Sequence, residues 1–285
     1  MVTRSSWIRA AITIILLGLA ALAGCASLDH QQRTWIFQPG DRTWGNSADL
    51  ASGMDEVWID FHSQVTDSSA RLQALWLPAD RPARGDPVLL YLHGARYNVR
   101  GSAGRIRRMQ EQGFSVLAID YRGFGRSTAV LPSEESAYED AQAAWQWLAA
   151  HHPGRPRYIF GHSLGGAVAI DLAARVKDEQ GVIVEGTFTS IADVFHSMKW
   201  GWLPLGSLIT QRFESISKVR EIGSPLLVVH GSEDGTIASS LGRKLFEAAT
   251  GPKTFLLIEG GSHYNTMLLG REQYRAALSQ LFGLL

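Results

Sequence analysis

Tyr158-Ile159-Phe160-Gly161-His162-Ser163-Leu164-Gly165 is the stretch that decides the fold. Three apolar residues lead into Gly-x-Ser-x-Gly, and a helical pattern follows from Leu164 to Arg175. A strand, a sharp turn and a helix in that order lift a serine hydroxyl above the end of a sheet. The glycines have a steric reason. The serine backbone is strained in such a turn, and side chains at Gly161 or Gly165 would crowd the adjoining strand and helix. The bland alternative is a glycine-rich turn with an idle serine, so the flanking sequence has to decide.

Outward from this turn, strands and helices alternate. Strands are expected over 57–61, 70–77, 88–92, 115–119, 182–184, 226–229 and 255–258. Helices are expected over 101–110, 133–150, 164–175 and 273–281. Val57, Ile59 and Phe61 alternate with Trp58, Asp60 and His62, as in a half-exposed antiparallel hairpin turning at Thr66-Asp67-Ser68-Ser69. The run from Val88 to Leu92 is apolar throughout, as in a strand buried on both faces. Ser133 can cap the helix that follows it, Glu134 and Glu135 suit that helix's dipole, and Pro153 stops it. Strands separated by helices imply an α/β fold: a doubly wound, mostly parallel sheet with an antiparallel hairpin at its start. Chemistry in such sheets gathers at the carboxyl ends of the strands, which is where Ser163 falls.

The 285 residues suit one large domain, and 27 Lys+Arg against 27 Asp+Glu give no support for nucleic-acid binding, which needs a basic face. The first 24 residues read as a signal peptide: Arg4 and Arg9 precede an apolar run that ends Leu22-Ala23-Gly24-Cys25. That ending resembles a bacterial lipobox, in which the cysteine thiol carries lipid. Cys25 is the sole cysteine and has no internal disulfide partner, which lipidation also explains. Residues 25–50 then form a lipidated N-terminus and linker, in which Trp35-Ile36-Phe37 can dock on the body, and 51–285 form the domain. Ala26, rather than aspartate, follows the cysteine; by resemblance to the bacterial sorting rule this directs the chain to the outer membrane where there are two membranes. The alternative is an uncleaved membrane anchor with a chance cysteine.

A serine hydroxyl needs a base to take its proton and a third group to hold that base. His263, in Gly260-Gly261-Ser262-His263-Tyr264 after the last strand, is the expected base among nine histidines. Asp234, in a short loop after the strand over 226–229, is the expected acid, with Glu233 and Glu185 as competitors. The order Ser163, Asp234, His263 agrees with a serine on a strand-to-helix elbow. The oxyanion needs fixed N–H donors. Leu164, just after the serine, and Ala95, in the loop His93-Gly94-Ala95-Arg96-Tyr97-Asn98, are the candidates.

With Ala118-Ile119-Asp120-Tyr121-Arg122-Gly123-Phe124-Gly125-Arg126-Ser127 and Glu185-Gly186-Thr187-Phe188-Thr189-Ser190, the chain resembles the α/β-hydrolase superfamily from about Val57 onward. It is most similar there to small-lid serine hydrolases: monoacylglycerol lipase-like, lysophospholipase-like and depalmitoylating. The resemblance implies a lid over 191–220 and an acyl-enzyme route that needs no metal or organic cofactor. It departs at Ala95, where relatives often carry asparagine, and at Ala238, where proline is common. The apolar residues of 191–220 either line an acyl pocket or pack the lid on the body, and no strongly charged pocket is legible. The expected partners are a small-molecule or lipid acyl ester and, through Cys25, a membrane. The alternatives are an aminopeptidase-like serine peptidase, with Glu185, Glu214 or Asp193 gripping the substrate amine, and a non-catalytic envelope lipoprotein.

Overall fold

A computed structural model describes residues 24–43, 47–198, 202 and 206–284. Its centre is an eight-stranded sheet in the order β1-β2-β4-β3-β5-β6-β7-β8. The strands are β1 (Asp55–Ser63), β2 (Ser68–Leu77), β3 (Val88–Leu92), β4 (Ser115–Ile119), β5 (Arg157–His162), β6 (Glu179–Glu185), β7 (Leu226–Gly231) and β8 (Lys253–Ile258). β2 pairs antiparallel with β1 and β4, and every later pairing is parallel. The helices are α1 (residues 24–37), α2 (Ser47–Leu50), α3 (Ala103–Glu111), α4 (Glu134–His151), α5 (Leu164–Arg175), α6 (Ile191–Ser197), α7 (Ser215–Lys218), α8 (Ser239–Ala248), α9 (Thr266–Leu269) and α10 (Arg271–Phe282).

The continuous apolar strands are explained by two cores, one on each face of the sheet. In β3, Val88, Leu90 and Leu92 join the core that contains α4, α5 and α8 residues, while Leu89 and Tyr91 join the one that contains α3 and α10 residues. Alternate side chains of a strand point to opposite faces, so a strand covered on both sides has no polar position. The parallel crossovers bring the carboxyl ends of β3, β5, β6, β7 and β8 to one edge of the sheet, where the site is assembled.

Ser133 caps α4 as expected: its hydroxyl accepts from Ser136 N at 3.1 Å, and Ser136 Oγ accepts from Ser133 N at 2.8 Å. The stretch 118–127 is a scaffold. Arg122, fully buried, reaches Asp140 at 2.7 Å and Glu139 at 2.6 Å, and Asp120 Oδ1 accepts from Val99 N–H at 2.7 Å.

Three readings need correction. Within residues 25–50, Ile36 and Phe37 dock as expected, but the segment is not all linker, because 24–37 are helical. Phe37 is completely buried against Phe213 at 5.8 Å between ring centroids, and Ile36 is buried beside it. Those two apolar residues give the helix a stronger reason to fold back than the polar residues around them give it to stay free. The helix expected over 101–110 starts two residues later, because Val99–Ser102 forms a 3-10 turn pinned by Asp120. α8 was not anticipated, although its spacing buries Leu241 and Leu245. The expected signal segment, and Trp200, Leu203 and Leu205 of the expected lid, lie outside the described residues. No helix among the described residues is long and apolar enough to cross a membrane.

Candidate active site

β5 ends at His162, and α5 begins at Leu164, so a single residue makes the turn. Ser163 takes φ 55° and ψ −122°, a conformation that costs a non-glycine residue on the order of 1–3 kcal/mol. Its surroundings hold it there. Ser163 N–H donates to Glu185 O at 2.9 Å, and Thr187 Oγ1 donates to Ser163 O at 2.9 Å. The flanking glycines are required by contact: a Cβ at Gly161 would strike the Gly165 carbonyl, and one at Gly165 would strike those of Leu92 and His93. The loop after β3 also presses close, since a Cβ at Gly94 would lie 3.0 Å from Ser163 Cβ.

His263 comes from the loop after β8 and is 5% exposed. Its Nδ1–H donates to Asp234 Oδ2 at 2.7 Å, which leaves Nε2 as the free ring nitrogen. Its backbone carbonyl accepts from His162 Nε2 at 2.9 Å and from Arg105 Nη2 at 3.2 Å. Asp234 is tied in turn. Oδ1 accepts the N–H groups of Thr236 and Ile237, each at 2.8 Å, and His230 Nε2 lies 3.3 Å from Oδ2. Burial works to raise the Asp234 pKa, but the hydrogen bonds from His230 and His263, the charge of His263 and the Ile237 N–H outweigh it. The carboxyl is held well below its ordinary range and stays ionised.

The two competing carboxylates have other places. Glu233 is exposed. Glu185 is fully buried, accepting from Arg105 Nε at 2.9 Å and from the Tyr274 hydroxyl. His162 is kept neutral by burial first and by the charges of Arg105 and His263 next. It can therefore support the His263 loop without adding charge beside it.

Leu164 is the first residue of α5, so its N–H has no intrahelical acceptor. Ala95 follows Gly94 on the loop that touches Ser163, whereas the next N–H, of Arg96, is spent on Phe37 O at 2.9 Å. Ser163, His263, Leu164 and Ala95 all line one cavity of about 890 Å³. A further wall is apolar: Ile191, Val194 and Phe195 from α6, and Leu28, Trp35 and Ile36 from α1. Among the described residues no Asp or Glu lines this cavity, while Arg96, Arg105 and Arg108 do.

Sequence reasoning missed four features of the site: the α1 wall, the arginines, the Arg105–Glu185–Tyr274 cluster behind His263, and His230 behind Asp234. The spacing of His230, near the end of β7, and Asp234, four residues on in the loop after it, was the available signal for the last. Gly242 is bare because His230 fills the space its side chain would need.

A family model described as "Serine aminopeptidase, S33" matches residues 84–218. The chain is 29% identical over 263 residues to an uncharacterized protein of Mycobacterium tuberculosis, covering 92% of this chain and 90% of that one. It is 31% identical over 218 residues to the lysophosphatidylserine lipase of Rattus norvegicus, covering 70% of this chain and 54% of the lipase. The chain thus spans about half the length of that lipase. A Pyrococcus furiosus esterase shares its architecture, with a TM-score of 0.67 at 19% identity over 86% of this chain and 96% of the esterase.

Proposed function

From its α/β-hydrolase fold, we propose that the chain is a serine hydrolase that cleaves carboxylic esters or thioesters of acyl or lipid-like substrates. The observation that carries this reading is that Ser163, in its strained turn, and His263 line one cavity, with Asp234 behind them 2.7 Å from His263 Nδ1. Ser163 Oγ attacks the ester carbonyl carbon while His263 Nε2 takes its proton. The oxyanion lies against the N–H groups of Leu164 and Ala95. As the intermediate collapses, His263 gives the proton to the leaving alkoxide or thiolate, and an acyl-Ser163 remains. Water, deprotonated by His263, then attacks the acyl carbon and releases the acid and Ser163. Asp234, ionised and fixed by two backbone N–H groups, holds the productive tautomer of His263 and stabilises the imidazolium.

The apolar wall supports an acyl chain as the part of the substrate that is buried. An aminopeptidase reading, which the description of the matching family model favours, needs a carboxylate to hold the substrate ammonium. None lines the cavity among the described residues, and Glu185 is spent on Arg105 and Tyr274. We place the protein at the cell envelope, held by lipid on Cys25, which is exposed at the start of α1. Twelve residues of helix put that thiol about 18 Å from Phe37 along α1.

The test is pre-steady-state hydrolysis of p-nitrophenyl acyl esters, with the matching p-nitroanilides as amides. The expected result is a burst equal to one nitrophenol per chain, absent in Ser163→Ala, with esters cleaved far faster than amides. Undiminished turnover in Ser163→Ala would remove the reading. Incorporation of a fatty-acid analogue that Cys25→Ser abolishes tests the anchor.

A further inference from the structure

A buried histidine–aspartate pair lies under the oxyanion loop as well as behind Ser163. His93 ends the run of β3 and Asp120 follows β4, both buried, with His93 Nε2 3.4 Å from Asp120 Oδ1. The proton transfers at Ser163 use neither residue. Both instead hold the loop whose Ala95 N–H is the proposed oxyanion donor.

That loop does not support itself. Arg96 and Tyr97 take φ 65° and 51°, two successive non-glycine residues in the left-handed region. Each costs on the order of 1 kcal/mol or more, and such residues persist where their neighbours leave no alternative. The ties are at both ends. At the start, the Tyr121 hydroxyl donates to His93 O at 3.2 Å. At the far end, Val99 N–H donates to Asp120 Oδ1 at 2.7 Å. Asp120 therefore meets the loop twice, at Val99 and through His93.

One tie bears on the oxyanion donor itself. His93 Nδ1 is 2.6 Å from Gly94 O. A carbonyl only accepts, so Nδ1 carries a proton and donates it. Gly94 C=O and Ala95 N–H are the two ends of one planar trans peptide, and they point in opposite directions. Gripping the carbonyl fixes the rotation of that peptide, and with it the aim of the Ala95 N–H. The ring that grips is itself fixed. Tyr121 and Phe124 pack on it at 4.7 and 5.0 Å between centroids, and Asp120 faces its other nitrogen. One proton shared between Nε2 and the carboxylate makes that contact attractive, whichever group carries it. His93 Nε2 and Asp120 Oδ2 have no hydrogen-bond partner among the described residues. Buried polar atoms in that condition cost stability, so an apolar side chain would pack here at less cost. What it could not supply is the N–H to Gly94.

We propose that His93 is a positioning residue for the oxyanion hole: its Nδ1–H grips the Gly94 carbonyl and so aims the Ala95 N–H, while Asp120 fixes the ring and the far end of the loop. This rests on the serine-hydrolase reading of the same site. A donor already in place does not have to turn as charge develops on the substrate oxygen, and one such donor is worth about 10²–10³-fold in kcat. One aspartate–histidine pair, Asp234 and His263, then moves a proton, and the other aims a dipole.

The test compares variants of the full chain that differ in where an amide nitrogen sits. In His93→Asn it stands in the place of Nδ1, toward Gly94. In His93→Gln it stands in the place of Nε2, toward Asp120. His93→Gln and His93→Leu should lower kcat on a p-nitrophenyl ester by about 10²-fold, with KM little changed. Both should weaken inhibition by a trifluoromethyl ketone, whose adduct with Ser163 carries the oxyanion, by the same factor. His93→Asn should restore both quantities to within about tenfold of wild type. The comparison of Asn with Gln stands even where His93→Leu does not fold. Wild-type kcat in a cooperatively melting His93→Gln would overturn the proposal. So would a loss in His93→Asn as large as in His93→Gln, since the donor to Gly94 would not be what matters. A fall in kcat without a matching loss of ketone affinity would overturn it too, because His93 would then act through packing alone. Ser163→Ala in parallel separates the two levels. Undiminished turnover in that variant sinks the serine-hydrolase reading, whereas Ser163-dependent turnover indifferent to His93 sinks only this inference.

Discussion

Ser163 and Ile36 line the same cavity, yet they are held there in different ways. Around Ser163 the constraint is backbone on backbone: the Glu185 carbonyl, the Gly165 carbonyl and the loop at Gly94 leave one conformation for the turn. Around Ile36 the constraint is mostly side chains, with one backbone tie from Arg96 N–H to Phe37 O at 2.9 Å. Gln32 Nε2 reaches Leu208 O at 2.7 Å, Asp29 Oδ1 accepts from Thr210 Oγ1 and Gln211 Nε2 at 2.8 Å each, Arg33 Nε reaches Pro132 O at 2.9 Å, and Phe37 fills a buried site. The cover also keeps apolar surface in water: Trp35 is 60% exposed, Leu208 52% and Trp202 74%. A floor made of over-determined backbone fixes the geometry of a reaction. A cover made of separable side-chain ties opens at low cost and selects what enters. Substitutions in the floor should therefore abolish chemistry, and those in the cover should change selectivity.

The largest expected effect is Ser163→Ala, which should lower ester kcat by about 10⁴-fold or more while the thermal melt stays cooperative. Residual activity within tenfold of wild type would mean that the strained turn serves packing alone. Asp234→Asn comes next, at about 10⁴-fold in kcat/KM, because the amide presents the wrong partner to His263 Nδ1. If that variant were nearly as active as wild type, the loop of His263 would be held by the Arg105 cluster alone.

On stability, Arg122→Met should cost about 3–5 kcal/mol in urea unfolding, because it leaves the fully buried Asp140 beside an apolar group. In the cover, Phe37→Ala should speed hydrogen exchange through α1 and lower the preference for long over short acyl esters by about tenfold, with little change in kcat on the shortest ester. An effect on short esters as large as on long ones would erase the distinction between floor and cover.

The smallest effect is on pH dependence. The folded-state pKa of Asp234 is depressed below its ordinary 3.8. The stability it contributes is therefore present above 3.8 and is lost as pH falls below that value through the folded-state value. Thermal melts compared at pH 7 and pH 3 should show part of this loss in the wild type and less in Asp234→Asn.

The contrast between floor and cover also explains what the sequence made legible. Gly161, Ser163, Gly165 and the apolar strand before them are neighbours in the chain, and their geometry follows from local sterics. Asp234 and His263 follow strands β7 and β8, so chain order alone nominates them. The cover has no such signature. α1 docks because Phe37 meets Phe213, more than a hundred residues away, and polar residues such as Gln32 look like linker until Leu208 and Thr210 are placed beside them. The cationic wall was hidden for the same reason: Arg96 lies in a loop, Arg108 lies on α3, and carboxylates such as Glu111 alternate with such residues along the chain but not in the cavity.

The most direct test of the central claim is intact-mass measurement after fluorophosphonate treatment of the wild type and Ser163→Ala, with peptide mapping of the adduct. One adduct per chain, mapped to Ser163 and absent from the folded variant, is the predicted result. A folded wild type that takes up no reagent, or a variant that is labelled equally, would contradict the assignment of Ser163 as an activated nucleophile.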